Sequence, residues 1–204
     1  MGRRISARTH HLWLRLQAAL GKEGNDWIEQ DGGTGDESQS VRSGDGDDYV
    51  LQHGDGGNDT QYVDGAEGND TLIQLGSAGN DNMIAIGDKG DDRIFQDGGD
   101  GEDILRVYGY EGHDAIRMHG GAGQDSITYD VSPGEDTVLI DGGADADSLT
   151  INQGGQNLSV LDEEGKLIYQ HSQGGSLLTV TNIEHILVLD SEGQTVFEWH
   201  AVAP

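Results

Sequence analysis

Residues 65–108 read GAEGNDTLIQL, GSAGNDNMIAI, GDKGDDRIFQD and GGDGEDILRVY, four consecutive blocks of eleven that share the form G-x-x-G-x-D-x-h-x-h-x, where h is apolar. The spacing extends in both directions. The sixth position of each block is Asp26, Glu37, Asp48, Asp59, Asp70, Asp81, Asp92, Asp103, Asp114, Asp125, Asp136 and Asp147, so twelve blocks run from 21 to 152 without an insertion. A fixed period of this kind decides the fold class before any secondary structure is assigned.

Within a block the first six residues are a turn by chemistry, because paired glycines admit positive φ and Asn or Asp bonds its own backbone. The last five alternate and are rich in Ile, Val, Leu and Thr, which predicts a short strand. One turn and one strand bury nothing alone, so the units must stack and supply each other's core. The expected fold is all-β, a parallel β-roll or β-solenoid. The tenth position sets the coil: it runs Gln30, Val41, Gln52, Val63, Gln74, Ala85, Gln96, Val107, so residues two blocks apart match better than neighbours. Each 22-residue coil then has two strands on opposite sheets, with Gln30, Gln52, Gln74 and Gln96 stacked as an amide ladder. Six coils at about 4.8 Å per strand give a rod of roughly 29 Å.

The eighth position is apolar in ten of the twelve blocks, Gln39 and Gln61 being the exceptions, and is expected to face inward with the tenth. Positions nine and eleven then face out, which sets Leu51, Ile73, Leu75 and Phe95 outside one sheet and Tyr62, Ile84 and Ile86 outside the other. Such strips fit a homo-oligomer or protein partner, cover by the C-terminal strands, or a bulge that turns them inward.

Composition agrees with a repeat array. Of 204 residues 34 are Gly and 33% are hydrophobic, too few for an ordinary two-layer core, while the strict period argues against disorder. The formal charge of -27 is uneven: residues 1–20 carry +4, 21–152 carry -25 and 153–204 carry -6. A field of this sign repels nucleic acid, and carboxylates at this density repel one another unless multivalent cations neutralise them. Cysteine is absent, which removes disulfides and thiolate metal sites. No apolar run approaches the roughly 18 to 20 residues of a membrane span. The start, MGRRISARTHHLWLRLQAAL, is basic but carries Arg15 within its short apolar stretch, a poor cleaved signal peptide.

At G-x-x-G-x-D-x-h the blocks resemble the repeats-in-toxin (RTX), or hemolysin-type, calcium-binding repeat, whose pattern is G-G-x-G-x-D-x-h-x. The resemblance covers residues 21–152. It implies a right-handed parallel β-roll in which the turns of successive coils hold Ca2+ between backbone carbonyls and Asp carboxylates. Carried onto this chain, Asp26, Asp48, Asp70, Asp92, Asp114 and Asp136 line one edge, and Glu37, Asp59, Asp81, Asp103, Asp125 and Asp147 the other. The turn glycines Gly54, Gly57, Gly65, Gly68, Gly76, Gly79, Gly87, Gly90, Gly98 and Gly101 complete the set. The period here is eleven rather than nine, and the second position is Gly in five blocks alone (Gly33, Gly44, Gly99, Gly121, Gly143). Ser43 and Val131 replace the first Gly, Asp145 the fourth-position Gly and Glu37 the acid, so those sites and the array's ends are expected to be weakest. Calcium takes six to eight hard oxygens, and one ion between each stacked pair of turns gives about ten ions, whose charge of roughly +20 offsets most of the array's. The competing reading is that each Asp merely closes an Asx-type turn without metal.

Outside the repeats, Leu12, Leu16 and Leu20, with Trp13 and Ile5, form an apolar stripe at helical spacing, which predicts a short helical cap over residues 1–20. A basic membrane-surface helix through Arg3, Arg4, Arg8 and Arg15 is the alternative. Residues 153–204 lose the period and read as strands NLSVLD, LIYQH, SLLTVTNIEHILVLD and TVFEWH, an irregular β cap. Val180–Leu189 is similar to the strand that follows the repeats in many type I-secreted proteins, which implies secretion through an uncleaved C-terminal signal. Catalytic motifs such as G-x-S-x-G and H-E-x-x-H are absent, and His53 and His119 share a repeat position three coils apart, too far to share a metal. The expected function is a secreted calcium-binding module that folds with its metal and serves in folding, export or as a scaffold, not an enzyme. A calcium-independent structural or adhesive solenoid and a polysaccharide-active β-helix enzyme are the alternatives.

Overall fold

The computed structural model describes residues 2–8, 15–154, 158–163, 166–171 and 177–201. These residues form strands joined by turns. In chain order the strands are β1 (Arg4–Arg8), β2 (Arg15–Leu20), β3 (Trp27–Gly33), β4 (Glu37–Arg42), β5 (Tyr49–Asp55), β6 (Thr60–Glu67), β7 (Thr71–Ala78), β8 (Asn82–Lys89), β9 (Arg93–Asp100) and β10 (Ile104–Glu111). There follow β11 (Ala115–Ala122), β12 (Ser126–Asp130), β13 (Thr137–Ala144), β14 (Ser148–Asn152), β15 (Leu158–Glu163), β16 (Lys166–His171), β17 (Leu177–Thr181), β18 (His185–Leu189) and β19 (Thr195–His200). Through the repeats odd-numbered strands pair in one sheet and even-numbered strands in the other, every pair parallel. The register advances by one 22-residue coil per strand: Gln30 faces Gln52, Gln52 faces Gln74 and Gln74 faces Gln96. The molecule is a parallel β-solenoid of about six coils.

Alternation decides which face of each strand is buried. In β7, TLIQLGSA, the side chains of Leu72 and Gln74 are buried while Thr71, Ile73 and Leu75 are half-buried. The eighth-position side chains Ile28, Val50, Leu72, Ile94, Ile116 and Val138 stack in one sheet, each at most 2% exposed, against Met83, Leu105, Ile127 and Leu149 from the other. Two inward side chains per strand make a thin core, in which a polar member is costly unless hydrogen-bonded, and among the described residues the ladders leave only end groups such as Gln30 Nε2, Gln61 Oε1 and Gln96 Oε1 without a partner. Gln52, Gln74 and Gln96 donate Nε2 to Oε1 of Gln30, Gln52 and Gln74 at 2.9, 2.8 and 2.7 Å. Their other amide hydrogens reach across the coil to the carbonyls of Tyr62, Ile84 and Arg106.

Gln39 and Gln61 are not breaks in the inward column. Gln61 Nε2 donates to Gln39 Oε1 at 3.1 Å, and Gln17 stands in register below Gln39, which makes a second amide column in the opposite sheet. With the Gln columns buried, a bulge that reverses the faces is excluded. Leu51, Ile73 and Phe95 form one outward column, and the Arg117 guanidinium lies over the Phe95 ring at 5.8 Å. β15 and β16 extend the odd-strand sheet beyond β17 rather than covering its outer face.

The N-terminal helix expected over 1–20 is corrected. Residues 4–8 and 15–20 are strands β1 and β2, parallel to β3 and β4, while residues 9–14 lie outside the described residues. The helical stripe misled because an open solenoid end presents a full row of unpaired N–H and C=O groups, and pairing with it outweighs a short segment's helical spacing. Gln17 and Ala19, two residues apart, point inward, whereas Leu20 is 69% exposed. At the other end β17 and β18 pair parallel to β13 and β14 and add a further coil, after which β16 and β19 pair antiparallel to them. No helix among the described residues is long and apolar enough to cross a membrane.

Gln74→Leu removes the donor to Gln52 and Ile84 and the acceptor of Gln96 from a buried column. The expected loss is about 2–3 kcal/mol in urea unfolding with calcium present. A loss below about 0.5 kcal/mol contradicts the ladder's structural role.

Candidate functional site

The turns that join the strands are built by close backbone approach. Nine of the eleven fourth-position glycines, Gly57, Gly68, Gly79, Gly90 and Gly101 among them, hold φ between 100° and 151°, and a methyl group on Gly90 would overlap the Gly68 carbonyl one coil below. In ten of the twelve blocks the second position also takes the left-handed region, even where it is Asp55, Ala66, Ser77, Asp88 or Tyr110 (φ 69–81°). Each such residue costs about 1–2 kcal/mol relative to Gly. Successive turns are bonded directly: the Gly68, Gly79 and Gly90 N–H groups donate to the carbonyls of Lys89, Asp100 and Glu111, each at 2.8 Å.

Two side-chain ladders flank this stack and run in opposite directions. On the outside, fifth-position side chains accept from the coil above: the Asn58 N–H donates to Asp36 Oδ1 and the Asn80 N–H to Asn58 Oδ1, both at 2.8 Å. On the inside, each sixth-position N–H donates to the carboxylate one coil on. Along one edge Asp26, Asp48, Asp70, Asp92 and Asp114 donate to Oδ1 of Asp48, Asp70, Asp92, Asp114 and Asp136 at 2.6–3.0 Å. Along the other Glu37, Asp59, Asp81, Asp103 and Asp125 donate to Oδ1 of Asp59, Asp81, Asp103, Asp125 and Asp147 at 2.7–2.9 Å. The two edges expected from the period are therefore both formed.

The second carboxylate oxygen is the chemically unusual one. Oδ2 is buried without a hydrogen-bond donor in Asp48, beside Ser43, and in eight residues whose block opens on glycine (Asp59, Asp70, Asp81, Asp92, Asp103, Asp114, Asp125 and Asp147). In those eight it turns under the first glycine of its own block, into the space a Cβ would fill. A methyl group on Gly54 would stand 2.5 Å from Asp59 Oδ2 and 2.6 Å from the Gly76 carbonyl, which enters from the next coil. Gly65, Gly76, Gly87 and Gly98 repeat this, with Asp70, Asp81, Asp92 and Asp103 against the carbonyls of Gly87, Gly98, Gly109 and Gly120. Each cradle thus brings two acceptor oxygens together. Burial pushes the carboxyls up from 3.8: Asp70 to about 8, Asp59, Asp92 and Asp103 to about 7, Asp114 and Asp147 to about 6, with Asp81 and Asp125 raised as well. Like charges in the same column add to the effect for Asp59, Asp70, Asp92, Asp103, Asp114 and Asp147.

Where the first glycine is replaced, a hydroxyl fills the cradle. Ser43 Oγ donates to the Gly65 carbonyl at 2.7 Å beside Asp48, and in the block that begins at Val131 the neighbouring Ser132 Oγ donates to Asp136 Oδ2 at 2.8 Å, with the Tyr129 hydroxyl at 3.3 Å. Asp26 Oδ2 accepts the Lys22 N–H at 3.1 Å. Asp147, an end position by sequence, has a complete neighbour instead: its N–H donates to Glu184 Oε2 at 2.8 Å, and the Asn182 carbonyl enters the Gly142 cradle. The first-position glycines thus carry the oxygens of the expected site, whereas Gly57, Gly68, Gly79, Gly90 and Gly101 mainly permit the turns to touch.

These raised pKa values fix a pH dependence. The folded chain keeps protons that the unfolded chain releases, so their stabilisation is complete below about pH 4 and is lost as pH rises through about 6 to 8. In chelator the protein should melt about 10 °C or more lower at pH 8 than at pH 5. A midpoint that stays level or rises across that interval contradicts the buried-carboxyl assignment. No family model matches this chain, and no curated protein matches its sequence.

Proposed function

We propose that the solenoid is a calcium-binding module of the RTX type whose folding is coupled to Ca2+, acting as a secreted folding, export or scaffold element rather than as an enzyme. The observation that supports this reading is the row of seven cradles, each pairing a buried carboxylate oxygen that lacks a hydrogen-bond donor with a main-chain carbonyl of the next coil. Both are hard oxygens, the donor class calcium prefers, so the residues fit the ion in kind. Asp59, Asp70, Asp81, Asp92, Asp103, Asp125 and Asp147 would hold it with the facing carbonyls of Gly76, Gly87, Gly98, Gly109, Gly120, Gly142 and Asn182. A bound divalent cation supplies the positive charge that makes ionised, buried carboxylates tolerable. Ser43 Oγ already lies beside Asp48, and Ser132 Oγ reaches both the Gly109 cradle of Asp114 and Asp136, so the number of ions becomes about seven rather than about ten. Export into a calcium-rich exterior rests on the resemblance of the repeats and of Val180–Leu189.

A second reading has its own support. The Oδ1 ladder bridges every repeat coil without a metal, and a proton on Oδ2 would satisfy the cradle equally well, as in a calcium-independent structural or adhesive solenoid. Thermal melts at neutral pH separate the two. On the calcium reading, millimolar Ca2+ raises the midpoint by about 10 °C or more over chelator, and Mg2+, which demands smaller and stricter octahedra, does little. Asp70→Asn keeps the Oδ1 acceptor and points an amide donor at the Gly87 carbonyl. It should melt above the parent in chelator and lose part of the calcium increment. Equal midpoints in calcium and chelator would sink the calcium reading and leave the metal-free solenoid.

A further inference from the structure

We propose that His185, Glu198 and His200, on strands β18 and β19, form a binding site for a divalent transition-metal ion of borderline softness, with Zn2+ the ion it fits. The antiparallel register sets His185 directly opposite His200, and Glu198, two residues before His200, projects from the same face of the ribbon. His185 Nε2 and His200 Nε2 lie 3.2 and 3.1 Å from the same oxygen, Glu198 Oε1. The two imidazoles are stacked with centroids 4.3 Å apart and planes 4° from parallel, so both present the same nitrogen to one point. All three ligand atoms fall within 4.8 Å of one another.

Two imidazole nitrogens and one carboxylate oxygen are the donor set of three-ligand zinc sites, with a further position left to water or another ligand. The chemistry differs from that of the turn cradles, whose donors are all oxygen. The site is open to ions, since the His200 and Glu198 side chains are 65% and 51% exposed. It is also held in place: on the opposite face of the ribbon Trp199 pairs with buried Ile186 and packs against the core. A cation bridging β18 and β19 would pin the strand at the sheet's edge. The group formed by Asp31, His53 and Asp55 is the other His-containing cluster among the described residues, and with two carboxylates to one imidazole it is the harder of the two.

The test is calorimetric titration of ZnCl2 into the full chain in saturating Ca2+, which keeps the protein folded whether or not calcium is needed and fills any oxygen sites. The expected result is one Zn2+ per chain with a dissociation constant of about 10 μM or tighter. His185→Ala and His200→Ala should each weaken it about tenfold or more, while His53→Ala leaves it within twofold. In the unmodified protein, ring signals of two of the eight histidines should shift on zinc addition in NMR spectra. No binding tighter than about 1 mM overturns the site. So does zinc binding that both His185→Ala and His200→Ala leave unchanged, or that moves the His53 ring instead.

Discussion

Coil is joined to coil at the turns by a main-chain amide that donates to the Oδ1 of an aspartate 22 residues later, as Asp70 does to Asp92 and Asp81 to Asp103. For this bond to form the carboxylate must lie inside the turn. That requirement favours glycine at the first position of the motif, where a Cβ would crowd Oδ2, although Asp48 and Asp136 keep the bond in the blocks that open on Ser43 and Val131. It also explains why the acids recur without slippage: the bond fixes register at the turn while the glutamine ladders fix it within the strands. The outer ladder, with Asn or Asp at the fifth position, accounts for the recurrent N-D and D-D pairs, the first residue bonding backward and the second forward along the stack.

The same bond leaves a chemical debt. Oδ1 is satisfied by an amide, but Oδ2 is buried against a carbonyl, and removing an ionised oxygen from water without a donor is costly. One cradle shows how the chain itself resolves this, since the hydroxyls of Ser132 and Tyr129 both donate to Asp136 Oδ2. The others need a proton or a cation. The proton is available at acid pH, where the raised carboxyl pKa values keep Oδ2 neutral, and a divalent cation is the natural occupant when the carboxyls ionise.

Much of this was legible in the sequence because the period is strict. The two strands per coil, the inward eighth and tenth positions, the Gln30–Gln96 column and the two acidic edges all follow from spacing. What spacing did not reveal lay where the period is broken or composition is ambiguous. Residues 15–20 lack the turn glycines and the acid, yet Gln17 falls 22 residues before Gln39 and marks the extra strand. The coil formed by β17 and β18 is hidden by the intervening β15 and β16, although Glu184, Ile186 and Val188 repeat the acid-x-h-x-h pattern with Glu in place of Asp, as at Glu37. The direction of each carboxylate, and the split between its two oxygens, depends on backbone positions that no residue pattern encodes. The pairing of His185 with His200 depends likewise on a hairpin register.

The central claim is that the cradles without a hydroxyl are cation sites, and counting ions tests it most directly. Protein equilibrated by dialysis against micromolar free Ca2+ at pH 7.5 can be assayed for calcium by atomic emission against protein concentration. The account predicts about seven ions per chain. A count of one or none, in protein whose circular dichroism shows the solenoid intact, would contradict it and assign the buried oxygens to protons.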